Sequence, residues 1–183
     1  MRIERVKNFL SLEECFLLNE WVGNAIKNEW MGIGGPTNRY TTRMFGYRFQ
    51  YPKNILNISN KIRLFCGIDC YETIKHQGRD GITVSSIFKN GDVLLHKDPK
   101  AQNNLSVLRC NVLTQKAEYG GDLYINGKYI DIEIGELHCY LVSEIPHEVT
   151  KVFGDTHRIM WMFGAEVPAE DWESGKIQIG KTN

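Results

Sequence analysis

Residues 122–142, DLYINGKYIDIEIGELHCYLV, alternate short apolar segments with tight turns. This pattern is the strongest indication of the fold class in the chain. Asn126 and Gly127 separate DLYI from KYIDI, and this pair favours a two-residue β-hairpin, since both residues tolerate positive φ. Gly135 and Glu136 mark the next turn, ahead of ELHCYLV. Short strands joined by such turns predict an antiparallel sheet.

The same pattern extends over residues 82–167. The predicted strands are short and leave no room for crossover helices, which favours a closed or double-sheet antiparallel body. The other predicted strands are ITVSSIFK (82–89), DVLLH (92–96), LSVLRCNVLT (105–114), HEVTKV (147–152) and HRIMWMFGAEV (157–167). We therefore predict an α+β fold that is mainly β, with a double-stranded β-helix (jelly roll) core.

Two helices are predicted ahead of these strands. Ser11 and Glu14 form a capping-box pattern, and apolar residues then recur at helical spacing from Leu12 to Val22. A second apolar stripe predicts a helix over residues 54–65. TTRMFGYRFQY, residues 41–51, is a further candidate strand. We expect the helices to pack against the jelly roll.

Nothing in the chain suggests a domain boundary, so we expect one domain over residues 1–183. Within it, residues 1–80 give helical support, residues 82–167 form the jelly-roll core and residues 168–183 are a C-terminal tail. The segment from Trp30 to Arg43, rich in Gly, Asn and Thr, is a candidate lid.

Charge and hydropathy give no support to a nucleic-acid or membrane partner, although a local basic patch can lie within a neutral total. Lys plus Arg and Asp plus Glu are both 22, so net charge gives no argument for a nucleic-acid or membrane partner. No apolar run approaches the roughly 18 residues that a membrane span needs. The N-terminal residues do not resemble a signal peptide, because acidic residues come early and the apolar run is short. We expect a cytoplasmic protein.

The five cysteines are odd in number and scattered along the chain. They are Cys15, Cys66, Cys70, Cys110 and Cys139. Cys66 and Cys70 could share a helical face, but no second Cys or His pair has zinc-finger spacing. We expect reduced, buried structural thiols.

Three residues have the character of metal ligands. His96 and Asp98 form an H-x-D pair in LLHKDP, and His147 follows 51 positions after His96, in EIPHEVTKV. Residues i and i+2 of an extended segment point to the same side, so His96 and Asp98 can contact one ion. Two imidazoles and one carboxylate are the facial triad that holds non-haem Fe(II). The alternative is that the pair arises by chance and the histidines are structural.

Arg158 is the second unusual residue. Alternation along HRIMWMF places it on one strand face with Met160 and Met162. An arginine among apolar residues is costly unless an anion meets it, and its planar fork suits a carboxylate. A ligand carboxylate is one candidate partner. The alternatives are that Arg158 reaches the rim of the sheet or pairs with Glu118, Asp122 or another distant acidic residue.

Together these residues resemble the Fe(II)- and 2-oxoglutarate-dependent dioxygenase superfamily, especially its prolyl-4-hydroxylase-like branch. The resemblance covers about residues 82–167 and depends on several motifs in the right order. These are FKNGDVLLHKD (88–98), GGDLYIN (120–126), GELHCYLVSEIPHEV (135–149), the basic residue Arg158, and the opening helix NFLSLEEC (8–15).

The resemblance implies roles for four residues. His96, Asp98 and His147 would hold Fe(II), and Arg158 would bind the distal carboxylate of the co-substrate 2-oxoglutarate. The implied reaction uses O2 to hydroxylate a C–H bond and releases succinate and carbon dioxide, with ascorbate as a candidate further cofactor. Peptidyl proline or another amino-acid side chain is the leading substrate class, and a small molecule is the other option.

The chain departs from the family ahead of H-x-D, where a tyrosine often contacts the co-substrate and Ile87 and Phe88 stand here. Asn111 or Tyr140 is then the candidate for that hydrogen bond. Asn111 shares a strand face with Arg109, and such a polar pair is usually solvated. His138 and His157 are expected at the surface or in structural roles.

Two other functions stay open. TTRMFGYRFQYP and RIMWMF are similar to segments of AlkB-like nucleic-acid demethylases, but Gly164 stands where a second arginine is expected. A cupin-like protein could bind a metal in the same fold without oxygenase activity. Cupins, however, generally use more histidines and a glutamate as ligands.

Overall fold

Antiparallel strands make up most of the computed structural model, which describes residues 1–33, 37–42, 49–74 and 80–180. The strands are β1 (Glu4–Val6), β2 (Gly32–Ile33), β3 (Arg39–Thr41), β4 (Thr83–Ile87), β5 (Val93–His96), β6 (Ser106–Gln115), β7 (Tyr119–Gly120), β8 (Leu123–Ile125), β9 (Lys128–Ile130), β10 (Leu137–Leu141), β11 (His147–Val149), β12 (Val152–Phe153) and β13 (Arg158–Val167). The helices are α1 (Leu12–Lys27), α2 (Lys53–Phe65) and α3 (Ala169–Glu173). Within those ranges, no helix has the length and apolar character to cross a bilayer.

Two main sheets form the body. The larger has the strand order β1-β10-β6-β13-β4-β3-β2, and the smaller has the order β5-β11-β8-β9. Every neighbouring pair in both sheets is antiparallel, and β12 pairs with β7 beside them. One apolar cluster contains side chains from both sheets and fills part of the space between them. The predicted mainly-β jelly-roll fold is confirmed.

The predicted capping box begins α1. The Glu14 N–H donates to Ser11 Oγ at 3.1 Å, and the Ser11 N–H donates to Glu14 Oε2 at 2.9 Å. The helix runs past the predicted end at Val22 to Lys27, because buried Ala25 continues the apolar stripe. Gly23 does not stop it.

Both long helices cover the outer face of the larger sheet. The Trp21 ring of α1 meets the Trp161 ring of β13 edge-on, with centroids 5.4 Å apart. Asn19 and Thr114 join α1 to β6 by two hydrogen bonds, of 3.0 and 2.6 Å. The apolar stripe of α2 is buried in the same core cluster. The helices therefore occupy one face of the sheet and leave the other to the smaller sheet.

Several predicted strands differ in detail. HEVTKV splits into β11, which pairs with β8, and β12, which pairs with β7; between them the Asp122 N–H donates to Thr150 Oγ1 and not to a backbone oxygen. KYIDIEI is strand only over Lys128–Ile130. The residues before Ile82 contribute β1, β2 and β3 to the larger sheet as well as helices. Most of the candidate strand at 41–51 lies outside the described residues, since 43–48 are not described.

Removing the cap tests how far α1 depends on it. We expect Ser11→Ala to lower the free energy of unfolding by about 1 kcal/mol, since the N–H of Glu14 loses its acceptor. Urea denaturation followed by circular dichroism measures this. Ser11→Asp keeps an acceptor oxygen and should unfold close to wild type. Equal midpoints for wild type and Ser11→Ala would contradict the role of the cap.

Candidate active site

A pocket of about 790 Å³, including the space open to solvent at its mouth, lies between the two sheets. The larger sheet contributes lining side chains from β3, β4, β6, β10 and β13, and the smaller sheet contributes them from β5, β8 and β11. His96, Asp98, His147, Arg158 and Asn111 all line it. The fold therefore brings every candidate site residue of the sequence to one place.

The smaller sheet brings the three candidate metal ligands together. His96 ends β5, His147 begins β11, and the two residues are directly opposite in the antiparallel pair. Their rings lie 4.5 Å apart, between centroids. Asp98 follows β5, and its Oδ1 lies 3.4 Å from His96 Nε2. One ligand atom from each residue lies within 4.8 Å of the others, so the three could hold a single metal ion.

Backbone carbonyls orient both imidazoles. His96 Nδ1 lies 2.7 Å from Leu94 O, and His147 Nδ1 lies 3.1 Å from Ile145 O. A carbonyl oxygen only accepts, so each Nδ1 carries the proton and donates it. In the neutral imidazole this leaves Nε2 with its lone pair, which is the arrangement that a metal-binding histidine needs.

Without a metal ion, the surroundings favour the metal-binding forms of Asp98 and His147, whereas His96 shares a proton with Asp98. Burial opposes ionisation of Asp98, but the hydrogen bond with His96 and the charge of Arg109 lower its pKa to about 2. Arg109 Nη2 lies 3.8 Å from Asp98 Oδ2. Burial lowers the pKa of His147, which keeps it neutral. The hydrogen bond with Asp98 raises the pKa of His96.

Arg158 lies at the start of β13 and is 4% exposed. Burial lowers its pKa to about 10, so it remains a cation at neutral pH. Its Nε donates to Gly121 O at 2.8 Å. No carboxylate of the described residues makes an ion pair with it, so the alternative pairing with Glu118 or Asp122 does not form, although the charge of Asp122 opposes this fall in pKa. A buried cation of this kind suits a ligand carboxylate.

Gly121 leaves the room that Arg158 occupies. Its φ is +70°, and a Cβ added there would lie 2.9 Å from Arg158 Cδ. Any larger residue would combine backbone strain with a shift of the arginine. The motif GGDLYIN thus positions the cation as well as beginning β8.

Asn111 and Arg109 lie on the pocket face of β6. They are 5% and 4% exposed, so the expectation of a solvated pair is wrong. The reason is that this face of the larger sheet is covered by the smaller sheet. Asn111 Oδ1 is buried and has no hydrogen-bond partner in the described part of the chain. It is therefore available to a ligand.

His138 and Tyr140 of β10 also line the pocket. His138 was expected at the surface or in a structural role, but it is buried, and burial lowers its pKa to about 3. Its Nδ1 has no hydrogen-bond partner among the described residues. Tyr140 lies edge-on to His147, with centroids 5.6 Å apart. Alternation along ELHCYLV could have placed both residues on the pocket face.

The remaining candidates divide between the pocket and its surroundings. Within the predicted lid, Arg39 and Thr41 of β3 line the pocket, whereas residues 34–36 and Arg43 lie outside the described residues. His157 does not line the pocket, and its Nδ1 lies 2.9 Å from Ser86 Oγ.

The sequence matches no protein-family model and no curated protein. Its structure, however, is similar to solved prolyl hydroxylases. A prolyl-4-hydroxylase of Pseudomonas putida is 14% identical, with a TM-score of 0.66 over 90% of this chain and 92% of that one. The collagen prolyl hydroxylase of Paramecium bursaria Chlorella virus 1, solved with 2-oxoglutarate, is 18% identical, with a TM-score of 0.62 over 91% and 97%.

A third similar structure is a prolyl hydroxylase of Trichoplax adhaerens in complex with a peptide fragment of the oxygen degradation domain of hypoxia inducible factor. It is 14% identical, with a TM-score of 0.65 over 89% of this chain and 83% of that one. At such identities the likeness concerns the backbone. The chain therefore has the double-stranded β-helix fold of these prolyl hydroxylases.

Proposed function

We propose that this protein is an Fe(II)- and 2-oxoglutarate-dependent dioxygenase that hydroxylates a C–H bond. The observation that carries the proposal is the content of one pocket. It combines two histidines and an aspartate, placed to hold one ion, with a buried arginine that has no carboxylate partner among the described residues. The first set suits non-haem iron, and the arginine suits a dicarboxylate.

The donor set supports iron in three ways. Each Nδ1 donates to a backbone carbonyl, which leaves Nε2 of the neutral imidazole to bind a metal; Asp98 is ionised, and three protein ligands leave open octahedral positions. When bound, iron would supply the oxygen chemistry that couples oxidation of 2-oxoglutarate to succinate and carbon dioxide with C–H hydroxylation. The chain itself would fix the ligands and keep the site largely enclosed.

For the co-substrate, Arg158 would bind the distal carboxylate through its fork, while its Nε stays on Gly121 O. Asn111 would place a polar amide against the same molecule, in place of the family tyrosine. Tyr140 and His138 of β10 also line the pocket and are further candidates for hydrogen bonds. Met160 on the same face of β13 would exclude water.

Peptidyl proline or another amino-acid side chain is the substrate class we propose. Three of the similar structures are prolyl hydroxylases, and one of these holds a peptide. The AlkB-like alternative is less well supported. A Cβ at Gly164 would lie 2.2 Å from Leu108 O, so the second arginine of that group has no room there. A cupin-like binding protein would hold a metal without consuming 2-oxoglutarate.

Turnover tests the proposal directly. Purified protein with Fe(II), 2-oxoglutarate and O2 should form succinate, and adding proline-containing peptides should increase the rate and yield peptides heavier by one oxygen atom. Mass spectrometry measures both products. If protein with confirmed metal binding forms no succinate with any peptide, small molecule or nucleic acid offered, the oxygenase proposal fails and the cupin-like function takes its place.

Metal binding tests the ligand set separately. We expect His147→Ala to weaken Fe(II) affinity by at least about 100-fold, since changes to outer hydrogen-bond partners alone cost roughly 10–100-fold. Anaerobic calorimetry measures the affinity. His157→Ala removes a half-buried histidine outside the pocket and should leave it unchanged. Equal losses in the two variants would argue against the assigned ligands.

Arg158→Gln tests the co-substrate site. Leaving a buried carboxylate without its cation costs about 2–5 kcal/mol, so the Kd for 2-oxoglutarate should rise at least about 30-fold. Metal affinity should stay close to wild type, because Arg158 is not a ligand. Arg2→Gln removes an arginine that binds the carbonyl oxygens of Trp172 and Ile177, away from the pocket, and serves as control. An unchanged Kd in Arg158→Gln would contradict the assignment.

A further inference from the structure

Three cysteines that are far apart in sequence meet behind the pocket. Cys66 is the C-cap residue directly after α2, Cys110 lies on β6 and Cys139 lies on β10, directly opposite Cys110 in the antiparallel pair. All three are fully buried, on the face of the larger sheet that the helices cover. Cys15 is buried elsewhere and Cys70 is exposed, so neither belongs to this thiol cluster (Cys66, Cys110 and Cys139).

The sulfur atoms are spaced as the ligands of one ion would be. Cys66 Sγ lies 3.8 Å from Cys139 Sγ, and all three Sγ atoms lie within 4.8 Å of one another. A point equidistant from three sulfurs at these spacings lies about 2.2–2.6 Å from each, and Zn–S bonds are about 2.3 Å long. An ion could therefore enter this triangle with small movements of the side chains.

The surroundings can balance the charge of thiolates. Arg63, one turn before Cys66 on α2, is close enough to Cys110 for their charges to interact. Hydrogen bonds hold its guanidinium to Gly164 O at 3.0 Å and Ile68 O at 2.9 Å. A divalent ion with three thiolates has a net charge of about −1, which one arginine neutralises.

We propose that the thiol cluster is a second metal site, separate from the pocket, for a closed-shell thiophilic cation such as Zn(II) or Cu(I). Thiolates select these ions over the hard cations that carboxylates and carbonyls prefer. Binding displaces the thiol protons to solvent and involves no change of oxidation state. A lone buried cysteine packs as a small apolar residue, whereas three converging sulfurs make a ligand set.

Two cysteines of the thiol cluster lie on strands that also line the pocket. Cys110 lies between Arg109 and Asn111 on β6, and Cys139 lies between His138 and Tyr140 on β10. An ion held there would join the end of α2 to the two strands that carry these pocket residues. The site would then stabilise the sheet from the side opposite the pocket.

Cobalt distinguishes the two sites, because only thiolate ligands give an intense ligand-to-cobalt charge-transfer band in the near ultraviolet. Reduced, metal-free protein is incubated anaerobically with Co(II) until the absorption stops changing. We expect one equivalent of the band per chain in wild type and in His96→Ala. The band should be lost in Cys110→Ala and in Cys66→Ala, and Cys15→Ala, which removes a buried thiol outside the cluster, should retain it.

Zn(II) and a buffered Cu(I) complex are then added in separate experiments to displace Co(II). The ion that the cluster prefers abolishes the band at the lower free concentration of that ion. Circular dichroism checks that each cluster variant folds. Both Cys66→Ala and Cys110→Ala are made, so that either one can give the result if the other does not fold. Absence of the band in wild type that takes up Co(II) elsewhere overturns the proposal. So does a band that survives in a folded cluster variant. Neither result bears on turnover of 2-oxoglutarate, which depends on the other site.

Discussion

The central strands of the larger sheet are β10, β6 and β13, and each of them is covered on both faces. A strand alternates its side chains between two faces, and here the helices cover one face and the smaller sheet covers the other. On β13, Trp161 packs under α1 while Arg158 enters the pocket. A shift of register by one residue would bury Arg158 under the helices and break both the core and the pocket.

The charged residues that line the pocket are mostly cations. Asp98 is the one acidic residue among the described lining residues, and Arg39, Arg109 and Arg158 line the same space. Asp98 stays ionised and is paired with Arg109, whereas Arg158 makes its hydrogen bond to a backbone oxygen. A dianionic co-substrate would balance the excess positive charge of the arginines, and a divalent ion would be held by Asp98 and the two histidines. The electrostatics thus agree with the proposed pair of ligands.

Sequence reasoning found the parts of the molecule that depend on local pattern. The capping box of α1, the Asn126–Gly127 turn and the inward face of β13 all follow from short-range rules. It did not find the pocket roles of His138 and Arg109, because exposure of a strand face depends on which sheet covers it. It also missed the thiol cluster, since Cys66, Cys110 and Cys139 meet through tertiary packing and have no motif spacing.

The proposed function requires one pocket to hold Fe(II) and 2-oxoglutarate together. Anaerobic titration of the metal-free protein, with absorption recorded in the visible range, tests it most directly. We expect a weak charge-transfer band that requires both Fe(II) and 2-oxoglutarate and stops growing at one equivalent of Fe(II) per chain. Protein that binds Fe(II) but gives no band at any 2-oxoglutarate concentration would contradict it.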